Sequence, residues 1–529
     1  MSNPVMNRRS FLAPWKSSTK GSSRTTAQPL STGLEPFVPD ANNPWDAYRA
    51  GHLLRRTMMS PTWADIQSLV ALGDPGKAVD ALLSATSTPA PPSCADNVTE
   101  SLDPIRSNQL LISQRVATWV GDAGTLRNWQ ANLQLNATAS IQEKMVYFWS
   151  GHFTTEFFLG ENTVVVAPLL YRQNKLFRDH FLGNFKDLVN GITLDGAMLV
   201  YLGGDQNNVK APNENFAREL MELFTCGIGW YSEGDVQMAA RILTGWHIAQ
   251  YTDKGAPNGY FKPYFIPADH DTGAKVYLNQ SFPAIDASTN TEFLVQKNEI
   301  EKLVDVLFTV NGSAIATFIC KKLYRFFIYS NAAAVDNAVV AAMAKIFTDN
   351  NFEIKPVVSA LLKSAHFFDN ANIGCQIKTP AEYVIGMARQ LAPKYPIDAN
   401  MTADGQQFFQ PPNVSGWPGW HDWITTSTYP TRGTEANTVI ASMDDATATS
   451  FYKQFPNYTD ANALAIAINQ LLLPRPLSTS RQAMFVSKLV AGGMSYDWPS
   501  IVSSTPATAA RNLRDLLTYI ASLPDFELC

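Results

Sequence analysis

The sequence predicts a mainly α-helical protein, built as a large multi-helix domain with two long irregular loop segments. Apolar residues recur at three- and four-residue intervals along most of the chain, and no region shows strong strand-like alternation. The 529 residues are 46% hydrophobic, which is enough to bury a large core. The irregular segments fall near residues 247–295 and 393–438, where Asp, Asn, Gly, Pro and aromatic residues interrupt the helical spacing.

Three parts are predicted along the chain. Residues 1–40 are rich in Ser, Thr, Gly and Pro without apolar periodicity, which is typical of a disordered tail. Residues 41–438 form the main helical domain, and residues 439–529 a C-terminal helical extension packed on it. A short hairpin within residues 255–280 fits this scheme, because residues 260–265 have some strand character.

The helical spacing itself occurs in a series of segments separated by short breaks. These segments are residues 44–85, 105–245, 296–330, 333–348, 355–366, 378–392 and 440–529.

Composition excludes several classes of protein. A net charge of -5 without a basic stripe argues against nucleic-acid binding. No window approaches 18 uninterrupted apolar residues, so we expect no transmembrane segment. The five cysteines are an odd number without Cys-x-x-Cys or Cys/His metal spacing, so neither a disulfide framework nor a zinc site is indicated. We expect each cysteine to be a single thiol with a structural role.

One predicted helix, within residues 211–227, has an unusually charged side. Asn213 can cap its first turn, and Gly227 can end it. The apolar face repeats at helical spacing and is expected to be buried. It comprises Phe216, Leu220, Leu223 and Phe224.

The opposite face of this helix carries Glu214, Arg218 and Glu222 four residues apart, with Glu219 beside them. A solvated face with two ion pairs, each worth roughly 0.3–0.5 kcal/mol, is one interpretation. The other is a catalytic strip, because neighbouring carboxylates such as Glu219 and Glu222 push their pKa values apart and Arg218 can keep one ionised. On that second interpretation we expect the strip to be buried and to line a polar site.

Histidines suggest two further candidates. His152 and Glu156 stand four residues apart after an aromatic run, and on a continuing helix they would point to one place, where they could bind a metal or transfer a proton. His152 can equally serve a buried backbone carbonyl. His270 and Asp271, preceded by Asp269, could ligate a divalent cation or orient one another, or form a solvated turn.

Residues 410–423 combine prolines and glycines with three tryptophans. Trp417 and Trp420 offer flat apolar faces that suit stacking on sugar rings, with Asn413 as a polar neighbour, so these residues are candidates for substrate binding. The alternative is a structural plug, because a tryptophan buries a large area and anchors irregular backbone. No Gly-x-Ser-x-Gly, His-Glu-x-x-His, P-loop or dinucleotide-binding motif accompanies them.

The run KAPNENFARELMELFTCGIGWYSEGDVQMAARILTGW at residues 210–246 resembles the signature segment of the bacterial domain of unknown function family 1800. Other blocks are similar to the family in order and spacing, so that the resemblance covers most of residues 45–510. No activity comes with this resemblance. The blocks are residues 52–57, 144–155, 184–189, 194–202, 270–275, 319–327, 377–384 and 409–419.

The chain departs in two places from the family that it resembles. Many members carry histidines where this chain has Ser150 and Phe224, which removes a histidine pair but leaves His152. Residues 7–12, NRRSFL, look like a twin-arginine export box, yet the polar residues 13–24 replace the apolar run that should follow. The protein is periplasmic or exported if this box is functional, and cytoplasmic otherwise.

Two functional hypotheses follow. The first is an acid-base or metal-assisted hydrolase acting on a polymeric or envelope-associated substrate. Its catalytic strip faces His152 and is roofed by the two irregular segments, which carry the substrate-binding candidates His270, Asp271 and Trp417. The second is a non-catalytic helical binding or assembly protein. The resemblance implies a partner for it, because genes of this family often lie beside one for an exported protein similar to alkaline phosphatases and sulfatases.

Overall fold

The structure, a computed structural model, describes residues 33–95, 109–157, 165–248, 263–391 and 396–529. It confirms a mainly α-helical fold, because helices dominate the described residues and the strands there form two short antiparallel hairpins. The twin-arginine-like box lies outside the described residues.

The described secondary structure elements before the first strand are helices, and these begin at residues that suit them. Asp46, Asp74 and Asn213 each accept a backbone N–H at a helix start, and Thr62 completes a reciprocal capping box. The helices are α1 Ala47–Thr57, α2 Trp63–Val70, α3 Pro75–Ser84, α4 Gln109–Leu135, α5 Gln142–His152, α6 Ala167–Asp179, α7 Phe185–Thr193, α8 Gly196–Leu202, α9 Glu214–Glu222 and α10 Glu233–Ile242.

The two hairpins lie in the first irregular segment. Strand β1 (Trp246–Ile248) pairs with β2 (Pro263–Phe265), and β3 (Lys275–Tyr277) with β4 (Gln280–Phe282). Leu278 and Asn279 connect β3 and β4 with positive φ values of 47° and 62°, as a two-residue hairpin turn requires. Strand structure is therefore present within residues 255–280, although residues 260–262 lie outside the described part.

A long helical stretch follows the hairpins. It begins as α11 (Glu292–Val295), passes through one π-helical turn at Gln296–Ile300, and continues as α12 (Glu301–Phe327). By length and composition this stretch could span a membrane, with a mean hydropathy of 1.7 in its most apolar window. More than half of that window, 56%, is buried inside the protein, as in a core helix.

The remaining helices pack around α12 and one another. The second irregular segment is shorter than predicted, because helices occupy both ends of residues 393–438 and leave residues 404–427 as its irregular part. The helices are α13 Asn337–Asp349, α14 Ile354–Lys363, α15 Pro380–Gln390, α16 Ile397–Ala403, α17 Thr428–Ser442, α18 Asp445–Lys453, α19 Ala461–Leu472, α20 Thr479–Leu489, α21 Trp498–Ser504 and α22 Pro506–Ala521.

A single hydrophobic cluster joins residues from both ends of the described chain, from Phe37 to Phe526. Phe37 lies within the predicted tail, yet its side chain is buried and its ring lies 4.8 Å from that of Phe368. Its N–H also donates to the carbonyl of Lys363. Residues 33–40 are therefore attached to the core rather than free of it.

Candidate functional site

A pocket of about 240 Å³ opens between the end of α5, the last turns of α12 and residues 415–423. Its walls are strongly aromatic, with Tyr147, Phe148 and Phe326 on the helices. Residues 413–423, here called the tryptophan segment, form the opposite wall through Trp417 and Trp420. The pocket therefore brings together parts of the chain that are distant in sequence.

Lys322, on α12, presents its amine to this pocket. Its Nζ lies 2.8 Å from Nδ1 of His152 and donates to the carbonyl of Leu223 at 3.1 Å. The side chain is half-buried, and Nζ lies 4.7 Å from the centre of the Phe318 ring. Burial, together with the neighbouring charge of Arg325, lowers the pKa of Lys322 to about 7. A large share of these amines is therefore neutral near physiological pH.

His152 is fully engaged by its two ring nitrogens. Its Nε2 lies 2.9 Å from the carbonyl of Phe224 and acts as the donor there, which leaves Nδ1 to accept from Lys322. Burial, and then the charge of Lys322, hold the pKa of His152 well below its usual range. The histidine is therefore a neutral acceptor that positions Lys322. It lines the pocket, but a backbone carbonyl takes its donor.

Arg325 lies one turn further along α12 and also lines the pocket. Its Nε donates to the carbonyl of Ser330 at 3.0 Å, while its two terminal nitrogens form no hydrogen bond to the part of the chain that the structure describes. Burial lowers the pKa of Arg325, though a guanidinium stays charged at neutral pH. A partly neutral amine and a guanidinium with free N–H donors thus face one cavity.

A buried ion pair includes Glu382, one of the residues that line the pocket. Lys144 donates to Glu382 and, at 3.2 Å, to the carbonyl of Met58. Burial acts to raise the pKa of Glu382, but the charge and hydrogen bond of Lys144 outweigh it and keep this pKa low. Arg56, which also lines the pocket, donates to the carbonyls of Phe327 and Ile328 at the end of α12. These groups are satisfied and serve the framework.

Cations outnumber anions around the cavity. Arg56, Arg325 and the partly protonated Lys322 line it, whereas Glu382 is the one carboxylate side chain among its described lining residues and already pairs with Lys144. The potential in the pocket is therefore positive, which favours an anionic ligand.

The tryptophan segment is fixed against the end of α5. A Cβ on Gly416, whose φ is +84°, would lie 2.8 Å from the carbonyl oxygen of Gly151, so only glycine fits there. Thr154 donates to the carbonyl of Val414 on the same segment. Trp420 has a φ of 54°, a left-handed conformation that is uncommon for a bulky residue and marks local strain at the pocket mouth.

Among the predicted substrate-binding residues, the structure brings Trp417 and Trp420 to the pocket and leaves Asn413 outside its lining. The Asn413 side chain is exposed and accepts the N–H of Ser415 at 2.9 Å, while its carbonyl accepts from Gly416. Asn413 therefore shapes the turn that carries the tryptophans.

The charged strip of α9 does not join this pocket. Arg218 binds Glu233 of α10 through two hydrogen bonds, at 2.8 and 2.7 Å, and contacts Glu214 at 3.3 Å. The predicted pairing with Glu222 is wrong, since Glu222 accepts from the hydroxyl of Tyr231 at 2.9 Å. The Arg218 side chain is 27% exposed and that of Glu233 is 73% exposed, so this part of the strip lies at the surface and not in a buried site.

Glu219 is the buried member of the strip and faces elsewhere. Burial raises the pKa of Tyr201, and the charges of Glu156 and Glu219 raise it further, which places these carboxylates near that hydroxyl. The expected helical alignment of Glu156 with His152 is also wrong, because α5 ends at His152. Glu156 accepts from Gln410 at 2.8 Å instead.

His270 and Asp271 belong to a separate buried cluster. Nδ1 of His270 donates to the carbonyl of Thr244 at 2.9 Å, and its Nε2 lies 3.4 Å from Glu299. Asp271 accepts from Arg241 through both oxygens, at 2.7 and 3.2 Å. Within this cluster the Nζ of Lys275 reaches both Glu299 oxygens at 2.8 Å. The cluster joins the hairpins to α10 and the π-helical turn, and none of its members lines the pocket.

Lys322 and Arg325 are the functional candidates that sequence reasoning missed. They occur in the block at 319–327, which carried the family resemblance but no proposed role. A usable signal was present: no carboxylate stands three or four residues from either cation, so neither can form the ion pair usual on a helix surface. However, cations near a helix C-terminus are common, so this absence of carboxylates did not single out the two residues.

Metal binding was the other chemistry expected. The described residues contain no group of three or more His, Cys, Asp and Glu side chains that could hold a metal ion. The pocket instead supplies an amine, a guanidinium and aromatic faces.

Comparison with known proteins identifies a family and nothing closer. A family model described as protein of unknown function (DUF1800) matches residues 52–528. No curated protein and no solved structure matches the chain.

Proposed function

Because this chain belongs to the DUF1800 family of proteins of unknown function, we propose its function from the geometry of the pocket. It is a hydrolase of the acid-base kind, and Lys322 transfers the proton. The observation that carries this proposal is the amine of Lys322, which lies in an aromatic pocket held by His152 and a backbone carbonyl, without a carboxylate partner.

A general base works best when its pKa lies near the working pH. Lys322 meets this condition, since its pKa is about 7. Its neutral form removes a proton from water, and its protonated form then returns that proton to the leaving group. His152 keeps Nζ in place throughout, because it accepts from the amine in either charge state.

Arg325 supplies the second requirement, stabilisation of negative charge. Its terminal nitrogens are free of described partners and can bind a substrate anion or the oxyanion that forms during hydrolysis. Because the walls are apolar, such a charge interaction is stronger there than in water. The catalytic role expected for the charged strip on α9 is therefore assigned to residues of α12.

The size and walls of the pocket bear on the substrate. A volume of about 240 Å³ accommodates a small molecule or one terminal unit of a polymer. Trp417 and Trp420 suit a flat or ring-shaped group at the mouth. The substrate we propose is therefore an anionic compound, or an anionic end group of a polymeric or envelope-associated molecule.

The test uses the purified full chain and a panel of chromogenic anionic substrates, namely aryl phosphates, aryl sulfates and carboxylated aryl esters. We expect Lys322→Met to lower turnover roughly 100-fold or more, since removing a general base has effects of about that size. Lys321→Met is the matched control, because Lys321 is the adjacent but exposed lysine, and it should retain full activity. Equal turnover in Lys322→Met and the parent would refute the proposal, provided that both show the same helical circular dichroism.

A second candidate function, binding or assembly, is favoured by one observation. Ile228 and Trp230 follow α9 and are 63% and 55% exposed, an apolar pair at the surface. A partner similar to alkaline phosphatases or sulfatases, from a neighbouring gene, would cover them. Sedimentation of the purified pair should show a complex that Trp230→Ser weakens. Independent sedimentation of both proteins at micromolar concentration would exclude it.

A further inference from the structure

Lys322 differs from two lysines that the structure buries beside carboxylates, Lys144 and Lys275. Lys144 is paired with Glu382 and Lys275 with Glu299. No described carboxylate lies within ion-pair distance of Lys322. Its amine therefore has the surroundings that make a lysine a nucleophile, namely apolar walls and a second cation nearby.

We propose that Lys322 forms an imine with small aldehydes or ketones that carry an anionic group. This inference rests on the proposed function, because it uses the same amine in the same pocket, and it adds a covalent reaction and a chemical class of ligand.

The reaction needs nothing beyond the two partners. The lone pair of the neutral Nζ attacks the carbonyl carbon and forms a C–N bond, which gives a carbinolamine after proton transfer from nitrogen to oxygen. The carbinolamine then loses its hydroxyl group and the remaining N–H proton as water, and a C=N bond is left. One amine and one carbonyl compound thus give one imine and one water, without oxidation or reduction.

Two features of the pocket select the ligand. Arg325 stands three residues after Lys322 on α12, so the two side chains project from the same side of the helix, and its free terminal nitrogens suit a phosphate or carboxylate. The aromatic side chains Tyr147, Phe148 and Trp417 leave a space that favours a flat body between the carbonyl and the anion. A carbonyl compound lacking the anion would lose the contact with Arg325.

The amine also keeps its reactivity because of what surrounds it. Burial and Arg325 lower its pKa to about 7, whereas an exposed lysine keeps a pKa near 10.4 and is almost entirely protonated at neutral pH. At pH 7.5 the neutral fraction of Lys322 therefore exceeds that of a surface lysine by roughly two to three orders of magnitude. His152 accepts from Nζ without adding a negative charge that would raise this pKa.

The experiment uses pyridoxal 5′-phosphate as the probe, with sodium borohydride to reduce the imine to a stable amine and peptide mass spectrometry to locate it. On the full chain at pH 7.5 we expect one dominant adduct, at Lys322. Pyridoxal, which lacks the phosphate, should label at least about 10-fold more slowly, and inorganic phosphate should slow the phosphorylated probe by competition.

Variants separate the two parts of the proposal. Lys322→Met should lose the dominant adduct, and Lys321→Met should keep it. Arg325→Met should slow labelling by pyridoxal 5′-phosphate to the rate found with pyridoxal, while Arg325→Lys, which keeps a positive charge, should restore part of the difference. Circular dichroism and thermal unfolding of each variant identify any that fail to fold, and the phosphate competition on the parent chain does not depend on variants.

Adducts spread evenly over surface lysines, or equal labelling by the two probes, would overturn this inference. It would also fail if Lys322→Met abolished hydrolysis while the parent showed no adduct, and the proposed function would then stand without it. A dominant adduct at Lys322 in a protein that hydrolyses no member of the substrate panel would support the imine and refute the hydrolase.

Discussion

Nζ of Lys322 lies 2.8 Å from Nδ1 of His152, and the other ring nitrogen of that histidine lies 2.9 Å from the carbonyl of Phe224. The backbone carbonyl fixes which nitrogen carries the proton, and the histidine in turn fixes the lysine. A carboxylate in the same place would hold Lys322 as a permanent cation, whereas the neutral imidazole leaves it free to titrate.

This relationship predicts opposite outcomes for two variants of His152. His152→Gln keeps a neutral acceptor, and the pH midpoint of Lys322 labelling should stay near 7. His152→Glu places a negative charge beside Nζ and should raise the midpoint by at least about one pH unit, because an opposite charge favours the ammonium form. Rates of labelling by pyridoxal 5′-phosphate between pH 6 and 10 measure the midpoint of each variant. Identical midpoints would show that this contact does not control the lysine.

Arg218→Ala should cost less than about 1 kcal/mol of unfolding free energy. Its strongest partner, Glu233, is 73% exposed, and ion pairs at the surface contribute little. A buried strip, as the sequence suggested, would lose roughly 3–5 kcal/mol. Urea unfolding distinguishes these values. A loss of unfolding free energy above about 3 kcal/mol would show that the strip is buried.

The pair of Lys275 and Glu299 should behave in the opposite way. Both side chains are buried, so Lys275→Met alone or Glu299→Leu alone strands a buried charge and should destabilise by roughly 3–5 kcal/mol. The double variant should lose clearly less than the sum of the two. A double-mutant cycle in urea measures this difference, and strictly additive losses would contradict the pairing.

Asp404 predicts a dependence of stability on pH. Burial raises its pKa from 3.8 to about 7, and Glu527 adds to this shift although Arg432 opposes it. The folded protein therefore retains a proton that the unfolded chain releases, so this contribution to stability is complete below about pH 4 and is lost as the pH rises through about 7.

Asp404→Asn stays neutral and should be more stable than the parent at pH 8, by at most about 4 kcal/mol for a shift of roughly three pKa units. The gain should shrink toward pH 5. Urea unfolding at both pH values tests this, with exposed Asp422→Asn as the control. A variant less stable than the parent at pH 8 would mean that the carboxylate is ionised and required by Arg432.

Gly416→Ala should loosen the tryptophan segment. The added Cβ meets the carbonyl of Gly151 at 2.8 Å in a left-handed backbone, so strain and a close contact act together. Gly405→Ala is the matched control, because its φ is +91° but nothing lies within 4 Å of the new Cβ. We expect the control to lose about 1–2 kcal/mol of unfolding free energy. Gly416→Ala should lose clearly more and should also shift the tryptophan fluorescence. Equal losses of unfolding free energy in the two variants would show that the close contact with Gly151 has no effect.

Local features were the ones that the sequence could supply. The cap at Asn213 and the buried face of α9 follow from neighbours within a few residues, and both are present. The partner of Arg218 was predicted wrongly because spacing along one helix suggests Glu222, whereas the long side chain reaches a residue on the next helix.

The pocket could not be predicted in this way. His152 and Lys322 are 170 positions apart, and their contact depends on how α5, α9 and α12 pack. A helical pattern fixes which face is buried but not which helices meet there. The tryptophans were recognised as candidates by residue type alone, and their place opposite Lys322 required the fold.

The π-helical turn at 296–300 contains one residue more than an α-helix would need to cover the same rise. Deleting one residue would let an ordinary α-helix form with its two flanks still in phase, but the side chains inside the turn would change direction. Glu299 would then turn away from Lys275 and His270. Single-residue length variation at this turn should therefore disrupt the hairpins before it disrupts the helix.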